Sequence, residues 1–86
     1  MQIWILMKGE LSEGGEVLDV FADRDVARGR FLTEALTIDR TFGIRDAHLE
    51  VDGSLRIEGG CDWLSLTPHD VITRNQLTCS AVAGAR

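Results

Sequence analysis

The chain has 86 residues, enough for one domain that withdraws only about 60–65% of its unfolded surface from water, so its core must be one layer packed on another. With 44% hydrophobic residues, 27% charged and a single proline, the composition is that of a folded globule and excludes a disordered polymer. The formal charge of −5, from 14 acids against nine bases, opposes nucleic-acid binding, which needs clustered Lys and Arg to displace counterions from phosphate.

Ile3 to Met7 is continuously apolar, which predicts a strand covered on both faces or lying centrally in a sheet. The run is too short for a secretory core and no basic residue precedes it, and no other run could span a bilayer. A cytoplasmic protein without membrane association is therefore expected. "KGELSEGGE" supplies turn residues, and Val17 to Phe21 forms a second apolar run, read as the hairpin partner of the first. Its long acidic connection is expected to be mobile at the tip.

Asp23 can cap a helix by accepting hydrogen bonds from the free amides of the first turn, and Asp25 adds charge where the macrodipole favours it. Ala27, Phe31, Ala35 and Ile38 recur at helical spacing and stack on one face. Gly29 costs about 1 kcal/mol in a helix interior relative to alanine, which close approach to a neighbour would offset. Leu32 and Leu36 fall on the adjoining flank and extend the apolar surface beyond what one sheet face needs. A second contact, within the chain or between chains, is implied. The helix should stop between Asp39 and Gly43.

"DAHLEVDGSLRIE" reads as two alternating strands around Asp52 and Gly53. A two-residue Asp-Gly turn would mix apolar and polar faces, so a longer tip is preferred, with Val51 opposite Leu55 and Leu49 opposite Ile57. Gly59 and Gly60 suggest a bend, and Cys61 to Thr67 resumes as a strand. Thr67 as cap, Pro68 as first helical residue and Asp70 beyond them read as the start of a short C-terminal helix. The single domain is thus expected over residues 1–74, with 75–86 a flexible tail.

Signals of chemistry are sparse. Arg24 and Arg28 share a helix face and could hold an anion, but no glycine-rich phosphate loop precedes them, and stems covering the sheet with heads in water explain them as well. His69 lacks a positioned partner for general-base work. His48 reads as a solvated cross-strand neighbour. Two lone histidines and the separated Cys61 and Cys79 show neither zinc nor CxxC spacing, so no metal, cofactor or catalytic residue is assigned. Trp4 and Trp63 could anchor a partner or fill the core, at least one of them the latter.

Ile3 to Met7, Val17, Val20, Phe21, Ala27 and Phe31, within "IWILMKGELSEGGEVLDVFADRDVARGRF", give the first half a pattern that resembles small uncharacterised proteins of bacteria and their phages, built as strand, polar turn, strand and helix. The resemblance implies an α+β fold and no activity. The fold expected is accordingly α+β: an antiparallel sheet of four or five strands, with one main helix on one face and the short C-terminal helix after it. The expected function is that of a non-catalytic interaction or regulatory protein, a homodimer that also binds another protein, with Leu32, Leu36 and Trp63 as the partner-binding residues. The alternatives are a small enzyme using His69 with Arg24 or Arg28, and a small-ligand binder in a dimer cleft lined by Trp4 or Trp63.

Overall fold

A computed structural model describes residues 1–71. Five strands and one helix follow in the order β1 (Gln2–Glu10), β2 (Gly15–Phe21), α1 (Arg24–Phe42), β3 (Asp46–Leu49), β4 (Leu55–Gly59) and β5 (Asp62–Asp70). The strands form one antiparallel sheet in the order β2-β1-β5-β4-β3. β2 and β3, which flank the helix in sequence, are thus the two edges of the sheet. α1 has to cross from one edge to the other, and that crossing lays it over the central strands. The expected α+β fold, a sheet with one helix packed on one face, is what forms.

Directly opposed residues of an antiparallel pair share a face, so the register assigns the core. Trp4 and Leu6 of β1 stand beside Pro68 and Leu66 of β5, and Leu64 stands beside Ile57 of β4. Ala27, Phe31, Ala35 and Ile38 of α1 close over them, and all the large members of this layer are buried. Each full-sized side chain here contributes about 1.5–3 kcal/mol by leaving water. The Asp23 side chain caps α1, accepting from the amides of Asp25 (2.7 Å) and Val26 (3.1 Å), and Gly43 donates its amide to the Asp39 carbonyl (2.9 Å) at the other end.

The opposite face of the sheet carries Ile3, Ile5 and Met7, which are only half-buried. β1 is central rather than covered on both sides. The β1–β2 register slips between Leu6 and Met7, leaving Leu18 as an extra residue. This bulge lets Leu18 and Phe21 pack against the core while Val17 and Val20 both face outward, a division that strict alternation cannot produce.

Two expectations are corrected. The β3–β4 tip is longer than two residues, but Leu49 opposes Leu55 and Ala47 opposes Ile57, two residues out of register with the pairing of Val51 to Leu55. Glu50 donates to Ser54 (2.9 Å) and Gly53 donates to Glu50 (3.0 Å), closing a three-residue loop that needs a left-handed residue in its last position. Gly53 supplies it at φ 92°. Thr67 to Asp70, read as a helix start, is the end of β5, paired with β1 as far as Gln2. β4 has already ended at Leu66 on the other side, so the missing amide of Pro68 faces no strand partner and does not interrupt the sheet. The expected tail, 75–86, lies outside the described residues.

Candidate interaction surfaces

α1 sits against β1, β2, β4 and β5 and does not reach β3. A shallow groove of about 280 Å³ remains between them, lined by Phe31, Leu32, Ala47, Leu49, Leu55 and Ile57 among others. Leu32 is 60% exposed and Leu36 53%. Neither is needed to complete the core, whose helical share is filled by the four residues named above. Val26, 59% exposed, extends the same outer side of the helix toward its start.

The third expected partner-binding residue, Trp63, stands elsewhere. It opposes Gly9 across β1–β5, on the face away from the helix. Its indole lies against Gly9 and Gly15: a Cβ at either position would overlap the ring carbons. The indole nitrogen donates to the Glu10 carbonyl (3.2 Å). Arg56 spreads its guanidinium over the ring, 4.9 Å from the centroid, and is itself held by the Glu58 carboxylate (3.3 Å), which Arg45 also approaches (3.4 Å). Trp63 is thus a clamped side chain, with glycines below and a cation above. The structure does not bring it together with Leu32 and Leu36.

His48, Arg56, Ser65 and Thr67 line a second cleft, of about 400 Å³, on the open face. His48 bonds to Asp46 (3.1 Å) and His69 to Thr67 (2.9 Å); both rings are exposed. Arg24 and Arg28 belong to the helix layer, so the sheet separates them from His69. Arg24 approaches Asp25 (3.8 Å), while the Nε of Arg28 is buried and has no hydrogen-bond partner among the described residues. Among the described residues there is no group of three or more His, Cys, Asp or Glu side chains that could hold a metal ion, and no helix is long and apolar enough to cross a membrane. Cys61 is exposed; Cys79 lies outside the described residues. Trp4, the other aromatic candidate, is buried in the core at 5% exposure.

Sequence reasoning missed the Arg56–Trp63–glycine stack. Its signal was available: two glycines near the facing ends of paired strands leave a floor that only a large flat side chain can use. Comparison of the chain with family models, curated proteins and solved structures returns no match.

Proposed function

We propose that this is a non-catalytic interaction or regulatory protein of the cytoplasm, which self-associates and binds a further protein. The observation that carries the reading is the exposure of Val26, Leu32 and Leu36 on a helix whose core-facing side is already complete. Exposed apolar area of this kind on a small domain marks a contact surface. The excess of acids favours a basic surface on the further partner, by steering and by complementarity at the rim. Trp63, rigidly seated and only partly buried, suits that second contact.

The enzyme reading draws no support from the geometry, since His69 and the arginines proposed to act with it lie on opposite sides of the sheet. A ligand cleft using Trp4 would require opening the core. The test of self-association is light scattering behind size exclusion, on wild type and on the Leu32→Glu/Leu36→Glu variant. The expected result is a dimeric mass for wild type and half that mass for a variant with an unchanged circular dichroism spectrum. A monomeric wild type at tens of micromolar chain would sink the reading.

A further inference from the structure

Gly29 sits in the middle of α1, where glycine is the least favourable residue short of proline. Among the described residues nothing requires it, because a Cβ built there meets no atom within 4 Å. Its neighbours on the outward side are as unusual. At about 100° per residue, Val26, Gly29, Leu32, Thr33, Leu36 and Thr37 turn away from the sheet together, and none is charged. The hydroxyls of Thr33 and Thr37 are turned back onto the helix, donating to the carbonyls of Gly29 (3.1 Å) and Thr33 (3.3 Å). They therefore offer methyl groups rather than free donors to whatever lies outside. A water-facing helix normally carries its charges on this side.

The charges that do occur lie at the two ends of the strip. Asp25 is near the N-terminus, with a side chain 88% exposed. Arg40 is in the last turn and makes no ion pair among the described residues. An antiparallel copy of the same helix, laid on this strip with its midpoint between Leu32 and Thr33, would place Arg40 of the second copy at Asp25 of the first. The same register sets Leu36 of each copy over Gly29 of the other, and Leu32 beside Thr33. Opposite charges meet at both ends, a large side chain meets a missing one twice, and the helix dipoles oppose. No other residue at position 29 leaves that space.

We propose that the occupant of the outer face of α1 is a second copy of this chain, paired helix to helix in this two-fold register. The contact is isologous, so each feature is used twice, and the glycine leaves room for the approach of the second helix. The inference rests on the self-association proposed above and specifies its geometry.

The test uses the full chain and three variants, Asp25→Arg, Arg40→Asp and Gly29→Leu, with dissociation constants from sedimentation equilibrium. Each charge reversal alone turns two attractions into two repulsions and is expected to weaken the dimer about tenfold, two exposed pairs being reversed. Mixing Asp25→Arg with Arg40→Asp chains restores opposite charges at both ends of a heterodimer, whose affinity should return to within a few-fold of wild type. Gly29→Leu should abolish the dimer while the subunit keeps its helical spectrum. A wild type that is monomeric removes the self-association reading itself. A wild-type dimer indifferent to Gly29→Leu, or weakened by the charge reversals but not recovered on mixing, leaves self-association standing and overturns this register.

Discussion

Gly15 and Arg28 show two kinds of constraint that a single residue can carry. At Gly15 a Cβ would overlap the Trp63 ring carbons, and the ring cannot retreat because Arg56 covers its far side and Glu10 holds its nitrogen. Gly15→Ala is therefore expected to destabilise the fold by about 1–3 kcal/mol, the cost of overpacking a seated group, read from urea denaturation. Equal midpoints for the two proteins would show that the indole can shift. Arg28 is the reverse case. Its Nε is buried and unpaired among the described residues, which costs free energy, while its stem supplies apolar cover. Arg28→Met keeps the cover and removes the orphan donor, so unfolding stability should equal or exceed that of wild type by up to about 1 kcal/mol; a clear loss would mean the guanidinium contributes more than packing. Asp52 adds a pH signature. Hydrogen bonds first from the Ser54 hydroxyl and then from the Ser54 amide hold its carboxyl below the ordinary range. A carboxyl lowered by folding contributes stability above its unfolded pKa and loses it as pH falls through the folded value. In a carboxyl NMR titration Asp52 should accordingly be protonated only at lower pH than an ordinary aspartate, and Ser54→Ala should move it back up.

Among the elements, α1 was the most legible and the β3–β4 hairpin the least, for a physical reason. Ala27, Phe31, Ala35 and Ile38 are the buried residues of the helix, and they could be read from spacing because a 3.6-residue period leaves one choice of face. A strand's period is two, so sliding β3 against β4 by two residues keeps every side chain on its face. The alternation of "HLEV" and "SLRI" fixes the faces of these strands and leaves the register to the turn. The turn chose a three-residue loop ending at Gly53, whose φ of 92° costs a residue with a Cβ about 1–2 kcal/mol. A built Cβ there also comes within 2.9 Å of Trp4. Gly53→Ala should thus lower stability by at least about 1 kcal/mol in thermal or urea unfolding, and a neutral result would show that the loop relaxes into another type. The β2 bulge was hidden for a related reason, since Val17, Leu18 and Val20 are all apolar and give no clue to which is the extra residue. Thr67 to Asp70 misled because a local capping pattern competes with pairing along the whole of β1, and nine residues of cross-strand register outweigh one turn of incipient helix.

For the whole molecule, the crossing of α1 from edge to edge puts the two apolar surfaces on opposite sides of the sheet, and that separation has a consequence for assembly. Leu32 and Leu36 lie on the helix layer, whereas Val17 and Val20, 54% and 49% exposed, lie with Trp63 on the open face. The sequence marks Leu32, Leu36 and Trp63 as exposed-contact candidates but leaves open which of them share a surface, because that depends on the sheet face the helix takes. Residues separated by a packed layer with no shared neighbours contribute additively, so a dimer formed through the helices leaves the open faces of both copies available to a further partner. Charging the open face with Val17→Lys/Val20→Lys should leave the mass measured by light scattering at the wild-type value, whereas Leu32→Glu/Leu36→Glu should halve it. The combined four-site variant should have the mass and unfolding midpoint that the two pairs predict by simple addition. If the valine pair alone halves the mass, the sheet and not the helix is the self-association surface, and Gly29 again lacks a neighbour to account for it.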